Sequence, residues 1–80
     1  MYAMDAVADI IKRTDNTKRS VSIALGLSDN YINNVMSRGS TPQANTLAKM
    51  LEACGYALCA VPADEIPPNA LVIGDEDGTE

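Results

Sequence analysis

Four polar residues between positions 29 and 34 have the types and spacing to bind another molecule: Asp29, Asn30, Asn33 and Asn34. An asparagine amide can bond to both N6 and N7 of adenine, and a carboxylate can accept from N4 of cytosine. Asparagine is a poor helix former, at about 0.5 kcal/mol each relative to alanine, so helix stability does not favour three of them here. The segment therefore has the chemistry to read base edges, although taken alone it would equally suit a solvated helix face.

Two short helical patterns, residues 18–25 and 29–37, carry these side chains and meet at Gly26. Thr17 and Ser28 are the predicted N-caps of the two helices, and Gly26 can adopt the positive φ that ends the first. Helices joined by so short a turn cross at a steep angle, so their apolar residues should converge beneath the corner. Those residues are Val21, Leu25, Leu27, Ile32 and Val35.

Amphipathic patterns on either side of the corner predict two further helices. Residues 3–13 repeat apolar side chains at helical spacing, and Asp9 lies one turn before Arg13, where the two charges can pair. Residues 44–54 form the fourth helical pattern, which is entered through a Thr-Pro pair and ended by Gly55.

The C-terminal part of the chain has a different pattern. Residues 56–61 (YALCAV) and 69–73 (NALVI) are short, apolar and flanked by Gly and Pro, so they predict the two strands of a β-hairpin. Residues 74–80 are rich in Gly, Asp and Glu and predict a flexible acidic tail.

Charge is distributed unevenly along the 80 residues. The net charge is −5, but residues 1–60 contain all six basic residues and five acids, whereas residues 61–80 contain six acids and no base. The acidity therefore belongs to the C-terminal end, and a polyanionic partner for the rest of the chain remains compatible with the composition.

Several classes of protein are disfavoured by composition. No apolar run approaches the roughly 18 residues of a membrane span, so we expect a cytoplasmic protein without a membrane partner. The chain has no His, no phosphate-binding loop and no paired carboxylates in apolar surroundings, which disfavours an enzyme, a metal site and a cofactor. Cys54 and Cys59 are expected to be buried packing residues.

Residues 18–37 resemble the helix-turn-helix of the lambda-repressor and Cro-like family, also called the XRE family. With Lys18 as the first of the motif's twenty positions, the five apolar residues of the corner fall on positions four, eight, ten, fifteen and eighteen. Ser22 takes the small fifth position and Gly26 the turn glycine at the ninth. Thr41-Pro42, followed by residues 45–51 and 54–56, looks like the family's fourth helix, so the resemblance covers roughly residues 3–56.

The resemblance implies a mainly α fold, a compact four-helix lambda-repressor-like domain, here with a C-terminal β-strand or hairpin extension. Residues 1–56 would form the helix-turn-helix DNA-binding domain, residues 57–73 the β extension and possible dimerisation element, and residues 74–80 the acidic tail. The chain departs from the family where many members have glutamine, at Lys18 and Asp29. The usual fifth helix is also replaced by the two apolar segments.

The resemblance also implies which residues contact DNA. The third helix, residues 29–37, would enter the major groove, with base contacts from Asp29, Asn30, Asn33 and Asn34. Phosphate contacts are expected from Thr17, Lys18, Arg19, Tyr31, Ser37 and Arg38. For Arg38 an equal alternative is that it satisfies the last carbonyls of its helix. Tyr31 is expected to be half-packed, with its hydroxyl directed to a phosphate oxygen.

The expected function is a sequence-specific transcriptional regulator of phage, prophage or mobile-element type, most readily a repressor. Six basic residues neutralise few phosphates per subunit, so a homodimer on a palindromic double-stranded operator is expected. The alternative is a protein-binding module, an antitoxin-like or inhibitor protein that uses the same fold and its acidic tail.

Overall fold

The computed structural model describes residues 1–74, and this part of the chain folds as four α-helices around one hydrophobic core. The helices are α1 (Ala3–Arg13), α2 (Lys18–Ala24), α3 (Tyr31–Arg38) and α4 (Ala44–Ala53). A single 3-10 turn, Ala63–Glu65, follows them. The prediction of a mainly α, four-helix protein is therefore confirmed.

The core is built from one apolar face of each helix. Val7 of α1, Val21 of α2, Ile32 of α3 and Met50 of α4 are almost wholly buried. Helix α2 contacts each of the other three helices, and α1 also packs on α4. The buried apolar residues are Ala3, Met4, Ala6, Val7, Ile10, Ile11, Val21, Ile32, Val35, Leu47, Met50, Leu51 and Cys54.

Local sequence signals set two features of the first helices as predicted. Thr17 is the N-cap of α2: its Oγ1 accepts from the Ser20 N–H, and Ser20 Oγ accepts from the Thr17 N–H, both at 2.9 Å. In α1, Asp9 Oδ2 lies 2.9 Å from Arg13 Nη2, one turn along the helix. Both predictions are confirmed.

Gly26 ends α2 in the left-handed conformation, with φ at 76°. Its N–H bonds to the Ile23 carbonyl at 2.9 Å, and the Leu27 N–H bonds to the Ser22 carbonyl at 3.1 Å. These two bonds are the Schellman arrangement, which satisfies carbonyls left over at a helix end. Nothing lies within 4 Å of the point where a Cβ would stand. The backbone conformation, not close packing, therefore requires glycine here.

Two helix entries differ from the prediction. Helix α3 begins at Tyr31, two residues later than expected, with Asn30 as N-cap. The Ser28 carbonyl accepts from the Tyr31 N–H at 3.0 Å, so Ser28 belongs to a turn instead of capping the helix. Serine, aspartate and asparagine suit turns as well as caps, and here the turn is formed. Gln43 is the N-cap of α4, so Thr41-Pro42 lies in the preceding loop.

Two residues predicted to be buried are exposed. Leu27 is 42% exposed, because it follows the chain reversal at Gly26 and its side chain is directed away from the core. Cys54 is buried as predicted, but Cys59 is exposed, since no helix of the described structure covers the segment that contains it.

The predicted C-terminal hairpin is wrong, because residues 56–73, called the C-terminal arm below, contain no strand. The backbone hydrogen bonds within residues 57–73 close two turns, from Glu65 N–H to Pro62 O at 2.8 Å and from Ala70 N–H to Pro67 O at 3.1 Å. The apolar pattern instead places the arm around an open groove of about 560 Å³ beside α1 and α4. Past Gly74, the predicted acidic tail lies outside the described residues.

Candidate nucleic-acid interface

The candidate interface is formed by the start of α2 and the outer face of α3. Nine of the ten residues predicted to contact DNA are exposed, and Tyr31 is half-buried against the core as expected. The exposed ones are Thr17, Lys18, Arg19, Asp29, Asn30, Asn33, Asn34, Ser37 and Arg38. The corner between the helices therefore leaves this set available to a partner.

Ser22 fixes the corner, and its role was not evident from the sequence. Its side chain is fully buried, its Oγ donates to the Lys18 carbonyl at 2.7 Å, and it accepts from the Ile32 N–H at 3.1 Å. The Ile32 N–H is one of the first-turn donors of α3 that no residue of its own helix can satisfy. A hydroxyl of α2 therefore caps α3 and holds the two helices in register.

The outer face of α3 is polar and lies opposite its buried face. At about 100° per residue, four polar side chains fall within an arc of about 100°, on the side opposite Ile32 and Val35. These four are Asn30, Asn33, Asn34 and Ser37. The same spacing places Arg38 about 40° beyond the edge of this arc.

The amides on this face are uncommitted within the described structure. Among residues 1–74, the side chains of Asn30, Asn33 and Asn34 make no hydrogen bond. Each amide has two donors and an acceptor available. The face can therefore match the edge of a base without first breaking an internal bond.

Two of the predicted site residues form an ion pair through their side chains. Arg19 Nε lies 3.4 Å from Asp29 Oδ2, so a residue expected at a phosphate pairs with one expected at a base. Arg19 belongs to α2 and Asp29 to the turn before α3, and their separation of ten positions gave no indication of the contact. The other predicted residues are near neighbours along the chain, and within residues 1–74 no hydrogen bond or ion pair joins their side chains to one another. The Asn34 N–H does bond to the Asn30 carbonyl at 2.9 Å, as part of the backbone of the helix.

Positive charge on this side of the molecule comes from a few side chains. Lys18 and Arg38 form no ion pair within residues 1–74, whereas Arg13 is paired with Asp9 on α1. The electrostatic contribution of Lys18 and Arg38 to binding a polyanion would therefore be modest and sensitive to salt. Of the acids behind the alternative protein-binding function, Asp64 and Glu65 are exposed, and the rest lie outside the described residues.

Comparison of the chain with protein-family models, with curated proteins and with solved structures gives no match. Within residues 1–74, no three Asp, Glu or Cys side chains gather as metal ligands. None of the helices in that range combines the length and hydrophobicity needed to cross a membrane.

Proposed function

We propose that the protein is a sequence-specific, double-stranded DNA-binding regulator of phage, prophage or mobile-element type, acting as a repressor in the bacterial or phage-infected cytoplasm. The observation that carries the proposal is the outer face of α3 and its N-cap, where the side chains of Asn30, Asn33 and Asn34 have no hydrogen-bond partner within residues 1–74 and Ser22 fixes the start of the helix. Exposed asparagines cost helix stability, so a partner that uses their hydrogen bonds accounts for them.

In this proposal α3 enters the major groove and the asparagine amides read base edges. Asn30, Asn33 and Asn34 have the donor and acceptor pair that adenine matches, and Asp29 can accept from a cytosine amine. The cations and hydroxyls around them hold the backbone and set the register of the helix in the groove. These are Thr17, Lys18, Arg19, Tyr31, Ser37 and Arg38.

The experiment that tests the function is selection of bound duplexes from a random library, followed by titration of the enriched sequence at two salt concentrations. Asn33→Ala should weaken binding by about 1–3 kcal/mol, or roughly 5- to 150-fold, and relax the preference at one base position. Asn45→Ala is the control, because Asn45 is an exposed asparagine of α4 outside the predicted contact set, and within residues 1–74 its Oδ1 accepts only from the neighbouring Thr46 N–H. The proposal fails if no sequence is enriched, or if Asn33→Ala and Asn45→Ala bind alike.

The C-terminal arm supports a homodimer as the DNA-binding species. Leu58, Val61, Ile66 and Val72 are exposed there, and residues 55–63 contain no charged side chain. Two copies of a chain with net charge −5 meet with least repulsion at an uncharged apolar segment. The arm supplies 18 residues to such a contact, close to the roughly 20–30 per partner of a stable interface.

A second copy would also give the arm its missing backbone partners. An extended segment with unpaired N–H and C=O groups can add to the same segment of another copy, and this would explain a strand-like sequence that forms no strand within residues 1–74. Two α3 helices related by a twofold axis would read half-sites about 34 Å apart, so the operator should be palindromic.

Sedimentation over a range of protein concentrations tests the dimer. Leu58→Asp should raise the dimer dissociation constant at least about tenfold, because it puts like charges in a desolvated contact. Ile23→Asp is the control, since Ile23 is an exposed apolar residue of α2, outside the arm. A wild-type protein that stays monomeric at high micromolar concentration would contradict the dimer.

A further inference from the structure

The contact between Arg19 and Asp29 crosses the corner of the candidate interface. It joins α2 to the turn before α3, through Arg19 Nε and Asp29 Oδ2 at 3.4 Å. The side chains are 73% and 46% exposed. An ion pair this exposed contributes little to folding stability, because water and salt screen it. Its presence in the middle of the predicted contact set therefore points to a role in binding.

The atoms used by the contact leave the rest of both groups available. A guanidinium has five N–H donors, one on Nε and four on the two terminal nitrogens. Asp29 engages the guanidinium through Nε, so the terminal nitrogens remain for a phosphate oxygen. Only one oxygen of Asp29 lies in this contact, so the other can still accept from a base amine.

The opposite charges of Arg19 and Asp29 also affect how closely DNA can approach this part of the protein. An unpaired carboxylate at the start of α3 would repel the DNA backbone, since each phosphate carries a full negative charge. The Arg19 guanidinium, whose Nε lies 3.4 Å from Asp29 Oδ2, offsets part of that negative charge. The ordinary i,i+4 pair of Asp9 and Arg13 has no such role, because it lies along α1 and outside the predicted contact set.

We propose that Arg19 and Asp29 act as one unit in DNA recognition. Asp29 is a positioning residue that orients the Arg19 guanidinium toward a phosphate, and Arg19 allows Asp29 to approach a cytosine amine. The inference rests on the proposed function. It explains how the negatively charged Asp29 can take part in reading DNA, because Arg19 lies beside it.

A double-mutant cycle on DNA affinity tests the unit, using the sequence enriched by selection and a scrambled duplex. Arg19→Ala should weaken specific binding about tenfold or more and lower the salt slope by about one. Asp29→Asn should then recover about threefold or more in the Arg19→Ala background, because the uncompensated carboxylate is gone. Alone, Asp29→Asn should lower the ratio of specific to scrambled binding without weakening scrambled binding.

Two further measurements separate positioning from a structural or purely charged role. Arg19→Lys keeps the positive charge, but lysine has a single side-chain nitrogen. It cannot contact Asp29 through one nitrogen and a phosphate through another, so this variant should bind DNA nearly as weakly as Arg19→Ala. The matched cycle of Asp9→Asn and Arg13→Ala should show additive, near-neutral effects on DNA affinity. Thermal melts of all variants should remain close to that of the wild type.

The inference is overturned if the Arg19 and Asp29 effects add as those of the control pair do, or if Arg19→Lys binds like the wild type. If selective binding that depends on Asn33 persists in either case, the proposed function stands and only the coupled unit fails. If the wild type selects no sequence, both fail.

Discussion

Replacing Ser22 with alanine should destabilise the protein by removing the bond that joins α2 to α3. Ser22 is fully buried, and its Oγ is the acceptor for the Ile32 N–H at 3.1 Å. Leaving a buried N–H without an acceptor costs about 1–3 kcal/mol, and the better helix propensity of alanine returns about 0.5 kcal/mol. The Lys18 carbonyl loses the Ser22 hydroxyl but keeps the bond that any helix provides.

The expected net loss is therefore about 1–2 kcal/mol, or roughly 5–10 °C in Tm for a chain of this length. Chemical denaturation followed by circular dichroism gives the free energy of unfolding, and DNA affinity measured well below Tm shows whether the corner has also changed. Ser37→Ala is the control for the unfolding measurement, because Ser37 is an exposed residue of α3 whose side chain makes no hydrogen bond within residues 1–74. If the two variants unfold alike, Ser22 does not hold the corner and the account given above is refuted.

Two other substitutions test the ends of α2. Gly26→Ala should lower the free energy of unfolding by about 1–2 kcal/mol, because Gly26 has φ at 76° and a Cβ is strained there even with open space around it. A stability equal to that of the wild type would show that the turn can relax. Thr17→Ala should cost about 1 kcal/mol through loss of the cap shared with Ser20. Urea midpoints measure both, and a Thr17 effect below that of exposed Ser37→Ala would contradict the cap.

The helices were predictable because their signals are local. The apolar repeat of α1, the cap at Thr17 and the stop at Gly26 each depend on residues within a turn or two. The start of α3 was not predictable, since Ser28, Asp29 and Asn30 suit a turn and a cap equally well. The bond at the start of α3 that comes from outside this segment, from the Ile32 N–H to Ser22 Oγ, spans ten positions and is not part of the local signal.

The prediction of two C-terminal strands was wrong for a related reason. A run such as residues 56–61 shows a preference for extended structure, but a strand needs a second segment at hydrogen-bonding distance, and propensity does not supply it. In the described structure the arm lies against α1 and α4 without such a partner.

The candidate site was predicted as a set of residues but not as an arrangement. The pattern identified the polar face of α3 because buried Ile32 and Val35 fix which side faces outward. The contact of Arg19 with Asp29 and the bond from Ser22 to Ile32 span ten positions each. Both contacts depend on how α2 and the start of α3 pack against each other, so no single stretch of sequence predicts them.

The corner also has a consequence for the order of folding. Its bonds join residues close in the chain: Ser20 to Thr17, Leu27 to Ser22, and Ile32 to Ser22, which is the longest at ten positions. Short loops close quickly and at a small entropic cost, so these contacts can form before the distant docking of α1 on α4. The proposed DNA-reading half would then be the nucleus onto which the other helices condense. A substitution that removes the Ser22 hydroxyl would lower the folding rate more than it would raise the unfolding rate.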